Sequence, residues 1–197
     1  MRRSQPLRGQ RWLTFIVRRY SLPALKRASL ILLIVGASLA FALFCAHHEW
    51  HPLSPDARAD HILVEKADRR LTLFRGSTPL KSYRVALGRS PMGPKQQEGD
   101  HRTPEGTYSI DGRKPDSAFH RALHISYPSS ADASTAASRG VEPGSDIMIH
   151  GIRNGLGWIG AFHRARDWTS GCIAVTDAQI EEIWRAVPDG TSIEIRP

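Results

Sequence analysis

Acidic residues are missing from the first 48 positions, which hold eight of the 27 basic residues and none of the 19 acidic ones. Everything downstream carries 19 of each sign, so the net charge of +8 belongs to the leader and not to the folded part. That split excludes a nucleic-acid role for the domain, because recognition of a phosphate backbone needs a basic footprint on the domain itself. Cysteine is nearly missing too, with only Cys45 and Cys172 present. Internal repeats and low-complexity tracts are absent, and 197 residues leave no room for a second large core.

What the leader does contain is an uncharged stretch, Ala28–Ala46, interrupted only by Ser29, Gly36 and Ser38. At a rise of about 1.5 Å per residue it reaches about 28 Å as a helix, enough to cross the hydrocarbon of a bilayer. The basic residues all precede it, so the positive-inside rule places residues 1–27 in the cytoplasm and the chain after His47 outside. A retained anchor is favoured over a cleaved signal sequence. Ala40-Phe41-Ala42 offers a small-x-small match, but the basic region is long for a signal sequence. Phe44 argues against lipid attachment at Cys45, which reads as a membrane-buried thiol. Cys172 is then a lone thiol in an oxidising compartment, unable to form an internal disulfide.

Residues 47–60, with Pro52 and Pro55, read as a short extended tether to a domain spanning 61–197. Ile62–Val64, Leu71–Phe74 and Tyr83–Leu87 have the composition and spacing of consecutive antiparallel strands. Thr107–Ile110, His124–Tyr127, Asp146–His150 and Ser192–Ile195 add further strands, giving a β-rich mixed α/β fold. Gly88–Gly106 and Ser129–Gly144 read as surface excursions. One helix is clear near the C-terminus: Thr176 and Gln179 form a capping box, Ile180, Ile183, Trp184 and Val187 line one face, and Pro188 ends it.

The chemistry concentrates in Ile147-Met148-Ile149-His150-Gly151 and Thr169-Ser170-Gly171-Cys172-Ile173. A strand ending in His-Gly sets an imidazole at a sheet edge, and a glycine before the cysteine lets backbone amides converge on one point. An imidazole that takes the thiol proton leaves a nucleophilic ion pair, and preorganised amides stabilise the oxyanion that forms on attack at a carbonyl.

These two segments resemble the active-site signature of the L,D-transpeptidase, or YkuD-like, catalytic domain. Gly99-Asp100-His101-Arg102-Thr103-Pro104-Glu105-Gly106-Thr107-Tyr108 resembles the Gly-x-x-x-Thr-Pro-x-Gly-x-Tyr stretch of the same family, so the likeness covers about residues 61–197. The resemblance implies Cys172 as nucleophile and His150 as proton donor and acceptor. It also implies oxyanion donors at Gly171 and Cys172, with Thr169, Ser170 and Gly151 as motif positions. The implied reaction is attack on the bond between the third residue and D-Ala of a peptidoglycan stem, then transfer of the thioester to an amine, without metal or cofactor. With water as acceptor the same site is a hydrolase, an L,D-carboxypeptidase or amidase; a non-catalytic envelope-binding module is the third alternative.

Three departures from the family pattern stand out. The spacer between His150 and Cys172 holds 21 residues and contains Trp158 and Trp168. Ala174 stands where members often have Arg two residues after the cysteine, and Arg164 or Arg166 is the candidate replacement. His163, in the spacer, competes with His150 as base; His150 is preferred because it ends a strand, whereas a loop histidine is more often solvated, and Trp158, His163, Arg164, Arg166 and Trp168 are together the candidate substrate-binding residues. Trp158 and Trp168 either stack on substrate or pack the loop down. His101, His120 and His124 match no compact metal-ligand spacing and read as scattered surface histidines.

Overall fold

A computed structural model describes residues 22–48 and 51–197. The chain falls into two compact units, residues 1–42 and 43–197, each taken by itself. Of the basic segment 1–27 only the last residues lie within the described part. Helix α1, Leu22–His47, contains one stretch, Lys26–Cys45, long and apolar enough to cross a membrane, a test that a signal sequence also passes. Its large side chains from Leu30 to Phe44 are more than half exposed, except Leu43, which is partly buried.

The second unit is built on one eight-stranded mixed sheet in the order β3-β2-β1-β8-β4-β5-β6-β7. Strands β1 (His61–Glu65), β2 (Arg70–Arg75) and β3 (Thr78–Arg84) form the expected antiparallel meander. Alternation drives it: Ile62, Val64, Leu71 and Leu73 are fully buried, and a strand slipped by one residue would turn that set to solvent. The closing strand β8 (Ser192–Arg196) inserts between β1, to which it is parallel, and β4 (Gly106–Ser117), to which it is antiparallel. β5 (His120–Ile125), β6 (Met148–His150) and the two-residue β7 (Ile173–Ala174) complete the sheet, with β6 and β7 parallel.

The third strand lies earlier than expected. Val85, Ala86 and Leu87 are buried, as an apolar strand should be, but they have left β2. Ala86 exchanges both backbone hydrogen bonds with Ala174, and Gly88 bridges Thr169. The chain leaving β3 therefore joins the opposite edge of the sheet at β7. Joining the two edges removes unpaired donors and acceptors that would otherwise invite another strand.

Helix α3, Asp177–Ala186, starts at the expected box, Thr176 and Gln179 each satisfying the other's backbone amide. The box contributes about 1 kcal/mol. Full burial of Ile180 and Ile183 contributes about 1.5–3 kcal/mol each, so packing against β5 and β6 dominates. Two expectations need correction. Within 129–144 there is a helix, α2 (Ser130–Ser138), capped by Ser129 and Asp132; only Ala136 of it is buried, which is why no periodic apolar face announced it. Residues 53–60 are no free tether: Leu53 is buried with its amide on Glu182 (3.0 Å), and the Ala59 amide donates to Ala186 O (2.8 Å).

Candidate active site

The parallel pairing of β6 with β7 sets Ile149 opposite Ile173 and His150 opposite Ala174. Ile149 and Ile173 are fully buried on one face. Alternation puts Met148, His150 and the flanking Cys172 on the other, where all three line a cleft of about 980 Å³. Two sequence segments twenty residues apart thus become neighbours because a two-residue strand adds to a three-residue one.

His150 is nearly fully buried, between the rings of Phe119 (4.6 Å between centroids) and Trp168 (5.7 Å, edge-on). Its Nδ1–H donates to Gly151 O at 2.6 Å, which leaves Nε2 as the proton acceptor. Burial pushes its pKa down to about 4, the bond to Gly151 opposing. Gly151 has no room for a side chain: a Cβ would meet Asp177 Oδ1 at 2.7 Å. The same Asp177 oxygen accepts the Ile152 amide (2.8 Å), pinning the chain as it leaves β6.

Cys172 is partly exposed. Its Sγ–H donates to Asp146 O at 3.4 Å. Burial raises its pKa, opposed by a hydrogen bond from the Met148 amide. Burial thus favours the neutral form of both groups over the expected resting ion pair.

Thr169 is buried and ties the turn. Its Oγ1 donates to Cys172 O (2.7 Å) and accepts the Gly171 amide (3.1 Å). The expected oxyanion donor at Gly171 is thus already engaged. Gly171 has φ +132°, and a Cβ there would lie 2.7 Å from Arg102 O. Gly88 backs onto the same place, where a Cβ would meet His101 O at 2.2 Å and Gly171 Cα at 3.1 Å. The upstream motif is explained by this contact. Thr103 Oγ1 accepts the Gly88 amide, and its carbonyl holds buried Lys66, which pairs with Glu105 at 2.8 Å. The Gly88–Gly106 excursion is the wall behind the cysteine turn.

The family model described as YkuD, the L,D-transpeptidase catalytic domain, matches residues 59–195. The chain belongs to this family. YafK of Escherichia coli (strain K12), to which L,D-transpeptidase activity is attributed without being established, is 33% identical over 134 residues, 64% of this chain and 46% of YafK. The chain spans about half the length of the curated relatives it matches. Among solved structures, the helical cell shape determining protein Pgp2 of Campylobacter jejuni shares the fold, with a TM-score of 0.54, 23% identity, and coverage of 72% of this chain and 48% of Pgp2.

In this L,D-transpeptidase domain the long spacer forms one side of the cleft. A 3-10 segment, Gly157–Ala165, is broken at Gly160 (φ 48°, ψ −134°), and Ile159 and Phe162 from it, with Leu156 just before it, line the cleft. The two tryptophans part company. Trp168 is inside, against His150, while Trp158 is 64% exposed and outside the cleft lining. His163, expected to be solvated, is buried, its Nδ1 accepting Trp168 Nε1–H at 3.4 Å. Arg164 turns away, donating to Arg84 O (3.2 Å) and lining a separate recess with Arg69. Arg166 lines both, so of the two candidate replacements only it faces the cleft. Ser170 is exposed on the rim.

Sequence reasoning missed Phe119, Arg89, Lys114, Arg153 and the carboxylates Asp116 and Asp146, all of which line the cleft. Nothing local marks them, because they arrive from β4, the turn after it, and loops. His101, His120 and His124 are not gathered with His150. His101 meets Arg89, His120 pairs with Glu181 (2.8 Å) and His124 with Asp111 (2.5 Å).

Proposed function

We propose that this chain is a membrane-anchored acyltransferase of the bacterial envelope that uses Cys172 to open the bond between the third residue and D-Ala of a peptidoglycan stem. The observation that supports it best is the common facing of Cys172 and His150 on adjacent parallel strands, in one cleft. As Sγ attacks the carbonyl carbon, His150 Nε2 takes the thiol proton. It returns that proton to the departing D-Ala nitrogen, so that the C–N bond breaks and a thioester remains. An amine then attacks the thioester, releasing the thiol and giving a 3→3 cross-link or an attached protein. With the Gly171 amide held by Thr169, the Cys172 amide is the donor we assign to the oxyanion. One such donor contributes about 3–4 kcal/mol to the transition state.

Ala28–Ala46 is the proposed anchor, with the domain in the periplasm. Hydrolysis is a second reading, favoured by the partial exposure of Cys172, which admits water to the thioester. Mass spectrometry of purified tetrapeptide muropeptides after incubation with the chain separates the two: 3→3 dimers are expected, and tripeptide alone turns the assignment to a carboxypeptidase. Cys172→Ala abolishes the acyl-enzyme; an adduct that persists in that variant rejects the nucleophile. No adduct with any stem peptide leaves a binding module.

A further inference from the structure

Among the described residues one buried side-chain nitrogen or oxygen has no hydrogen-bond partner, Nε2 of His163. The ring is 6% exposed and lines the cleft that holds Cys172 and His150. Which atom carries the proton follows from its neighbour. An indole nitrogen only donates, so Trp168 Nε1–H makes His163 Nδ1 an acceptor. Burial, with Arg164 and His150 nearby, pushes the imidazole pKa down to about 4, so the ring is neutral at pH 7 and its single proton sits on Nε2. The wall of the cleft therefore contains a buried N–H donor without an acceptor. A buried donor left unmet destabilises a fold, and such groups mark the place of a ligand or of function.

We propose that His163 is a substrate-binding residue, whose Nε2–H donates to a carbonyl or carboxylate oxygen of the stem peptide. The assignment rests on the reading of the cleft as a stem-peptide site. Three features fit an oxygen acceptor. Arg89, Lys114, Arg153 and Arg166 line the cleft against only Asp116 and Asp146, so the surroundings favour negative charge. Trp168 holds the tautomer that donates and stands edge-on to both imidazoles, at 6.4 Å from His163 and 5.7 Å from His150. That places the donor one ring away from the proposed base. Finally, Nε2 is itself buried, and the segment carrying it is interrupted at Gly160 with Phe162 56% exposed; in the proposed complex this segment turns to present Nε2 to the ligand.

The test uses the full chain carrying Cys172→Ala, so that stem peptide binds without turnover, with histidine labelled by nitrogen-15. On titration with tetrapeptide muropeptide the His163 Nε2–H resonance moves and saturates, and His163→Phe weakens binding about tenfold. His163→Gln, which keeps a donor, recovers part of the loss and serves if the Phe variant does not fold. A peptide with amidated carboxyl groups identifies the acceptor: movement retained means a carbonyl, movement lost means a carboxylate. Saturable binding that leaves the Nε2–H resonance in place overturns the proposal while the stem-peptide reading stands. Absence of any binding overturns both. In the active chain the loss appears in KM with kcat within about threefold; a fall in kcat alone rejects binding in favour of an effect on His150 through Trp168.

Discussion

The two sides of the cleft are built on different principles. One side is the β6–β7 pair and the cysteine turn, where position is set by backbone: a parallel register, two glycines with no room for a Cβ, and Thr169 bonded to both Gly171 and Cys172. The other is the spacer, where position is set by side chains: Trp168 against His150, His163 against Trp168, and Asp167 on Arg69 (2.9 Å) and the Leu87 amide (2.9 Å). Chemistry that needs fixed geometry sits on the first. On the proposed function, selectivity sits on the second.

The largest expected effect tests what the two sides share, a buried neutral histidine. His150 and His163 both have folded pKa values of about 4 against 6.5 when free. Between those values the unfolded chain binds more protons, so their stability contribution is complete above about pH 6.5 and disappears as pH falls to about 4. Each loses at most about 3 kcal/mol. Urea unfolding across that range should show the fall, and His163→Phe should remove the spacer's part of it. A flat profile means that neither imidazole is buried neutral.

Gly171→Ala comes next. Its Cβ meets a backbone carbonyl and its φ is one that L side chains rarely adopt, so a loss of about 3 kcal/mol with collapse of acylation is expected in melting and adduct assays. Tolerance would erase the distinction between the two sides. Asp167→Asn should cost about 1–2 kcal/mol by freeing Arg69 and loosening Leu87, and should raise protease cutting within 152–168 before the rest of the domain unfolds. Trp158→Ala should leave the unfolding free energy from urea titration within about 0.5 kcal/mol, because that residue is 64% exposed.

Legibility in the sequence followed the same divide. β1, β2, β8 and α3 could be read because alternation, turn residues and a capping box are local signals, and the meeting of His150 with Cys172 in one cleft because each lies beside a glycine in a compact motif. The bridge from Ala86 to Ala174 could not be read: Val85–Leu87 declares itself extended, yet nothing in it names a partner 88 positions away. Helix α2 was hidden by its near absence of buried residues. His163 was misjudged because its burial depends on a tryptophan five residues later and on a 3-10 segment with a break, neither of which has a periodic signature.

Two carboxylates mark out the spacer as an exchangeable part. Asp177 secures its start through Ile152, and Asp167 secures its end through Leu87 and Arg69. Between residues 155 and 163 the chain length is set by no strand register, Asn154 being tied to Ser117, Ala118 and His120 and Arg164 to Arg84, so a graft of another length or character is expected to leave Cys172 and His150 in place. On the proposed function, a cleft with a detachable wall is a scaffold on which new peptide preferences can be selected without re-engineering Cys172.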